Sequence, residues 1–394
     1  MAKLGEVCDI LNGYAFKSNQ YTTSGVRIIR ISNVQKGYIE DKSPVYYPCD
    51  DENVKKYELK QNDLLISLTG NVGRTALLEE KFLPAALNQR VSCVRLKEPD
   101  KVLKTYLFHL LNSDYFEQQC MKAAEGVAQK NLSPKWLFEY KIPIYSIERQ
   151  KEISNTLDKI DLLIILRKQQ LAKLDELVKA RFVEMFGEPV SNPYKFEVRS
   201  LQNMLDDGII TYHLDGNHGS DYPRNEEFVE SGVSYISANC IIDDTVNLNL
   251  AKHLTEERAA KLRKGIAQDE DVLFAHNATV GPVAILHTRE TKVILGTSLT
   301  AYRCNKQRIL PAYLKAYMQS EGFVRQYTKD MKQTTRNQVP ITAQRKYLFI
   351  VPPLSLQNQF AAFVERVDQQ KQTVQQSFEK LELMKKALMQ EYFG

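Results

Sequence analysis

The sequence predicts an α+β protein: two similar globular α/β domains joined by two long helices that pair as an antiparallel coiled coil, with a pseudo-two-fold internal duplication relating the halves. Three observations predict it. DLLISLTGNVGRTALL at Asp63–Leu78 returns as DVLFAHNATVGPVAIL at Asp271–Leu286, the same length with no gap. Asp63, Leu65, Val72, Gly73, Ala76 and Leu78 recur as Asp271, Leu273, Val280, Gly281, Ala284 and Leu286, while SLTGN between them becomes AHNAT. Sliding the chain against itself by about 207 residues brings further stretches into register, too long a period for a solenoid. Each half also ends in a long segment without Pro or Gly whose apolar residues keep heptad spacing.

Taken in order, each half has one plan. It opens with short β-type runs punctuated by turn signals such as QND, TGN and KEPD. SGV at Ser24–Val26 meets SGV at Ser231–Val233, each leading into a β-branched run that ends near Asn33 or Asn239. Leu87 and Arg95 meet Leu295 and Arg303. A helical stretch follows, Val102–Gln119 or Pro311–Gln326, within which YLFHLLNSDYFEQQ matches YLKAYMQSEGFVRQ. An IPI or VPPL segment then holds the backbone extended, because proline blocks helix. The long helices close each half, giving domains at 1–146 and 188–353 and helices at 147–187 and 354–394.

In the first long helix Ile153, Leu157, Ile160, Ile164, Leu171, Leu174, Val178 and Met185 fall on alternating 4-3 spacing, interrupted by Arg167 and Arg181. In the second, Phe360, Val364, Val367, Val374, Phe378, Leu381, Leu388 and Tyr392 do the same around Lys371 and Lys385. A stripe that does not drift over about five heptads argues for a coiled coil, and cations at non-equivalent positions help fix its register. Pairing about a two-fold axis makes the helices antiparallel, a rod of about 58 Å at 1.5 Å per residue holding two heads apart. The alternative is that each helix packs only on its own domain, and Leu162, Leu163 and Leu166 broaden the first stripe in that direction.

Composition excludes several classes. A chain of 394 residues is enough for two or three domains. The longest aliphatic run, Leu162–Leu166, is far short of the roughly 18 residues of a membrane span. MAKLGEVCDIL lacks a signal peptide's apolar core, and six scattered cysteines read as reduced thiols, so a cytoplasmic protein is expected. A net charge of +5 permits a polyanionic partner without demanding one. Neither a GxxxxGK[ST] phosphate loop nor a GxGxxG is present; SNPYKF at Ser191–Phe196 lacks the second proline of an amino-methyltransferase box. The six histidines show no metal-ligand spacing, so neither catalysis nor a bound metal is expected.

What remains is a set of polar loops at equivalent places in both halves. Arg, Lys, Asn and Gln read guanine and adenine edges and grip phosphates, so these loops are candidates for contacting DNA. In the first half the candidates are Lys17, Asn19, Arg30, Asn33, Thr69, Asn71, Arg74, Asn88, Gln89, Arg90, Lys130 and Asn131. In the second they are His213, Asn217, Arg224, Asn239, His276, Asn277, Thr279, Thr297, Ser298, Thr335, Arg336, Asn337 and Gln338. Two like surfaces on a two-fold frame suit the local symmetry of duplex DNA, and unlike loops imply unlike half-sites around an untouched spacer.

With SGVRIIRISNV, NDLLISLTGNVG, PPLSLQNQFA, the heptad helices and the MFGEP junction in view, the sequence resembles the specificity subunit of type I restriction-modification systems along essentially its whole length. The resemblance implies two target-recognition domains separated by helices in an antiparallel coiled coil. It also implies docking of two DNA adenine methyltransferase subunits and of restriction/translocase subunits, with S-adenosylmethionine, ATP and Mg²⁺ held by those partners and none by this chain. A coiled-coil protein-interaction scaffold, or the specificity subunit of a related defence system without restriction, is the alternative.

Overall fold

The computed structural model describes residues 1–124, 131–331 and 337–394. Its contacts divide into two units, residues 1–168 with 375–394, and residues 169–374.

In the first unit a four-stranded antiparallel sheet runs in the order Cys8–Asn12, Val91–Leu96, Leu64–Ser67, Thr75–Leu77. A second, mixed sheet runs Tyr46–Tyr47, Val26–Ile29, Ala85–Leu87, Glu58–Leu59, its two middle strands parallel. Leu64 and Ile66 face a core shared with Tyr106, Leu110 and Phe116 from the helices Lys104–Leu111 and Asp114–Ala123. Leu65 points the other way, towards Ile29, Ala85 and Leu87 of the mixed sheet. A strand buried on both faces needs the continuous apolar run LLIS rather than an alternating one.

The second unit repeats this plan. Its larger sheet is ordered Ile210–Asp215, Leu299–Cys304, Val272–Ala275, Val283–Ile285, with Thr245–Val246 and Ile241–Ile242 added at the edge. Its other sheet is ordered Phe228–Val229, Lys252–Leu254, Val233–Ile236, Val293–Leu295, Ile266–Ala267. The registers coincide: Leu65 opposes Ala76 and Cys93, and Leu273 opposes Ala284 and Ala301. The repeated residues are therefore structural. Asp63 and Asp271, both buried, each bind the guanidinium of the repeated arginine, Arg95 at 2.8 and 2.5 Å and Arg303 at 2.8 and 2.8 Å. Gly73 and Gly281 lie at φ +83° and +125°, with Cys120 Cβ and the Tyr327 hydroxyl closing the space a side chain would need.

The long helices span Ile147–Phe186 and Leu354–Phe393, and each unit contains part of both. In the first, Ile153 and Leu157 share a core with Met389 and Phe393. In the second, Phe182 and Phe186 pack against Phe360, and Leu174 packs with Val367 and Val374. Within each unit the segments run antiparallel: Lys385 pairs with Asp161, and Lys371 with Asp175 at 2.6 Å. The heptad holds from the N-terminal end through the middle of each helix and slips at its C-terminal end, where Phe182, Phe186, Met389 and Phe393 are buried instead of Arg181, Met185, Leu388 and Tyr392. There Phe393 meets Tyr106 and Phe186 meets Tyr313, so the C-terminal turns present a 3.6-residue stripe to the globular core. The alternative of each helix packing only on its own domain is thereby set aside. Among the described residues no helix is long and apolar enough to cross a membrane.

Candidate nucleic-acid interface

The strand Leu64–Ser67 leads straight into Leu68–Arg74, and backbone bonds tie that loop to its neighbours. The Leu68 N–H donates to the Arg90 carbonyl at 2.9 Å, and the Leu68 carbonyl accepts from the Leu132 N–H at 2.7 Å. Thr69 and Asn131 form an isolated antiparallel bridge. Tyr14 and Asn88 bridge in parallel, and the Gln89 N–H donates to the Tyr14 carbonyl at 2.8 Å, which draws in the segment carrying Lys17 and Asn19. Thr69, Asn71, Arg74, Asn88, Gln89, Arg90 and Asn131 are thus gathered at one end of the sheet. Lys17, Asn19, Asn71, Gln89, Arg90 and Asn131 are exposed there. Ser67 Oγ donates to the Asn71 carbonyl and accepts from the Arg74 N–H, holding the turn. Arg74 reaches Gln35 Oε1 at 2.6 Å, a loop residue that the composition of the loops does not single out.

The second unit builds the same cluster with different residues. The Val339 N–H donates to the His276 carbonyl at 2.8 Å, the His276 N–H to the Ser298 carbonyl at 3.0 Å, and the Ala238 N–H to Ser298 Oγ at 2.9 Å. Asn277 bridges Gln338 just as Thr69 bridges Asn131. Asn239, His276, Asn277, Thr279, Thr297, Ser298, Asn337 and Gln338 come together, with Asn239, Thr279 and Asn337 exposed. Arg224 lies apart, preceding the short helix Asn225–Glu227, its N–H donating to Glu227 at 2.6 Å. Lys130, Thr335 and Arg336 lie outside the described residues.

Polar residues in these stretches do not all face outward. Asn33, Thr69, His213, Asn217 and His276 are buried. The Asn33 amide donates to the Glu40 carbonyl and Asp41, and its oxygen accepts from the Arg30 N–H, so the side chain is consumed in shaping its loop. Arg30 itself donates to the Ser43 carbonyl at 2.7 Å. Asn217 donates to the Lys264 carbonyl at 2.7 Å. His213 meets Gln344 Oε1 at 3.1 Å and His276 Nδ1 meets the Val339 carbonyl at 3.0 Å. Burial lowers the pKa of both rings, that of His213 to about 4, so both are neutral at pH 7. The side chain that sequence reasoning missed is Gln344, wholly buried at the centre of this group. Its signal was present: shifted by the repeat it falls on Leu137, a polar residue at an apolar core position. Among the described residues no cluster of three His, Cys, Asp or Glu side chains could hold a metal ion.

In each unit the sheet ends in short polar loops, alike in frame and unlike in sequence. The chain is similar to known proteins in sequence and in fold. Residues 1–176 match the family described as the type I restriction modification DNA specificity domain. The MjaVIII specificity subunit of Methanocaldococcus jannaschii is 32% identical over 186 residues, 45% of this chain and 43% of that protein, so the match spans less than half of that relative. The EcoBI specificity subunit of Escherichia coli is 21% identical over 389 residues, 92% of this chain and 78% of its own. Among solved structures, the S subunit from M. genitalium superposes with a TM-score of 0.58 at 14% identity, covering 100% of this chain and 95% of that one. A chain of a type I R-M system studied for its assembly and conformational transition gives 0.59 at 16%, covering 100% and 96%. The first 176 residues thus match the type I restriction modification DNA specificity domain, and the fold along the whole chain is similar to that of solved type I S subunits.

Proposed function

We propose that this chain is the DNA-recognition and scaffolding subunit of a type I complex, reading an asymmetric, bipartite double-stranded target with one domain per half-site. The observation that carries the reading is the pair of loop clusters: frame residues such as Asp63 and Gly73 repeat as Asp271 and Gly281, whereas LTGN between them becomes HNAT. Selection for stability alone gives no reason to keep the frame and rewrite the turn between its fixed residues, whereas two different base sequences do. Exposed Asn71, Gln89 and Arg90 in the first domain, and Asn239, Thr279 and Asn337 in the second, carry the donors and acceptors that base edges and phosphates require. The long helices are the element we assign to setting the spacer.

Chemistry is left to partners. This chain is non-catalytic; two adenine methyltransferase subunits and the restriction/translocase subunits supply S-adenosylmethionine, ATP and Mg²⁺ chemistry in the cytoplasm. Leu162, Leu163, Ile165 and Leu166 on the first long helix, with Leu383 and Met384 on the second, are exposed within the first unit. So many large apolar side chains on water-facing helix mark a protein contact, and the methyltransferase is the occupant we assign.

The test is N6-methyladenine mapping in cells that express this chain with the methyltransferase encoded beside it. A split motif with unequal halves and a fixed spacer is expected. Absence of methylation despite a stable complex, together with no salt-dependent DNA affinity, would favour the protein-interaction scaffold.

A further inference from the structure

The second domain contains a buried polar network where the first has hydrocarbon. Gln344 is its hub. Its Oε1 accepts from the Tyr302 hydroxyl at 2.6 Å and from His213 Nε2 at 3.1 Å, while its Nε2 donates to Thr300 Oγ1 and to the Val339 carbonyl, each at 3.2 Å. Both donors and both acceptors of the amide are therefore used, inside the protein. The same Val339 carbonyl accepts from His276 Nδ1 at 3.0 Å. Val339 follows Asn337 and Gln338, and His276 precedes Asn277 and Thr279, so this network holds the roots of two loops in the candidate interface.

The registers identify the counterparts. His213 opposes Tyr302 as Ile10 opposes Val94, and Val339 is bonded to His276 as Leu132 is bonded to Leu68. By the same shift Gln344 stands for Leu137. The first domain thus fills this site with Leu68, Val94, Leu132 and Leu137, members of one apolar core. Apolar packing is non-directional and tolerates small shifts; a saturated hydrogen-bond network has one geometry and loses much when one partner moves. A domain that only needed to fold had the cheaper solution in its own twin.

We propose that Gln344 and His276 are positioning residues for DNA recognition by the second domain: they lock the loops bearing Asn277, Thr279, Asn337 and Gln338 into one reading geometry, a constraint the first domain does not impose. This rests on the reading of each domain as a half-site reader. Both rings have fixed tautomers, because His213 Nε2 and His276 Nδ1 must donate to oxygens. Their other nitrogens, His213 Nδ1 and His276 Nε2, are buried without a partner. Protonation therefore places a charge that no acceptor receives. The groups facing His213 are Gln344, Tyr302, Arg345, Asp215 and His276; those facing His276 are the Val339 carbonyl, Asp215 and His218. Asp215 is already paired with His218 at 2.8 Å.

The experiment compares methylation of targets mismatched in one half-site at a time, using the complex reconstituted with its methyltransferase. His276→Leu and Gln344→Leu copy the first domain. Each is expected to raise methylation of second-half-site mismatches at least tenfold while discrimination at the first half-site stays as in wild type. His276→Asn, whose amide can replace the Nδ1 donor, should restore most of it. Discrimination at the second half-site of wild type should also fall as pH drops below the ordinary histidine range near 6.5, less so in His276→Asn. Wild-type discrimination in His276→Leu, or equal loss at both half-sites, overturns the proposal. If Gln344→Leu gives no soluble complex, the His276→Leu and His276→Asn pair decides. Failure of the half-site reading itself looks different: wild type then shows no split target against which to measure any variant.

Discussion

Asp63 sits at the first position of the repeated stretch, and its environment explains why aspartate stands there twice. Its carboxylate caps the preceding turn by accepting the Lys60 N–H at 2.8 Å, as Asp271 accepts that of Gln268 at 2.8 Å, and it accepts from two nitrogens of a single arginine, Nε and one Nη. Removing one partner of such a buried pair strands the other charge. Arg95→Ala is expected to destabilise the first domain by about 3 kcal/mol. Peptide-resolved hydrogen exchange should show faster opening of Leu64–Ser67 with Val272–Ala275 unchanged; equal acceleration in both would contradict independent domain cores. The histidines give the second domain an acid weakness. Burial holds His213 at about 4 against an ordinary value near 6.5, so the folded domain binds fewer protons than the unfolded one. Stability is complete above about pH 6.5 and is lost as pH falls towards 4, on the order of 3 kcal/mol for this ring. His213→Ile, copying Ile10, should flatten that acid limb in a pH titration of unfolding; an unchanged limb would assign it elsewhere. At this scale the frame was legible because the repeat exposed it. The interior loop residues were not: Asn33 and His276 look like ligands in a linear loop, and only the fold shows that their polar atoms are spent inside it.

The two long helices were legible from their spacing, and their antiparallel sense from the duplication. What the heptad missed was the terminal slip onto Phe182, Phe186, Met389 and Phe393. A heptad search assumes one partner throughout, whereas the C-terminal turns of these helices also meet aromatic side chains of a globular core. The lysines left inside the second stripe are accounted for by Asp161 and Asp175, which stand fourteen residues apart as Lys385 and Lys371 do in the opposite direction. Lysine at a seam position specifies register at a cost in stability. Lys371→Leu with Lys385→Leu is therefore expected to raise the melting temperature of the helical signal at 222 nm and to weaken the single register. Crosslinks between cysteine pairs placed one heptad out of register, absent in the parent, should then form. A lower melting temperature would mean that the ion pairs contribute net stability rather than alignment.

For the whole molecule, the informative fact is that residues 375–394 belong with residues 1–168, not with the domain that precedes them in sequence. Boundaries drawn along the chain at 146, 187 and 353 describe the elements in order, but the first core is completed only when the end of the second helix returns to it. Met389 and Phe393 lie in the same cluster as Leu4, Tyr106 and Leu110, with the Phe393 ring 5.5 Å from that of Tyr106. Deleting a buried phenylalanine side chain costs about 3 to 5 kcal/mol through lost burial and the cavity left behind. Phe393→Ala is accordingly expected to destabilise the first domain, almost the whole length of the chain away, and to spare the second. In exchange experiments the peptides of Lys104–Leu111 should lose protection while those of Pro311–Met318, the equivalent helix of the second unit, keep theirs. In the reconstituted complex the same variant should weaken discrimination at the first half-site only. Loss confined to the second half-site would mean that the returning helix end serves the domain it follows in sequence, and the place of residues 375–394 in the first core would have to be abandoned.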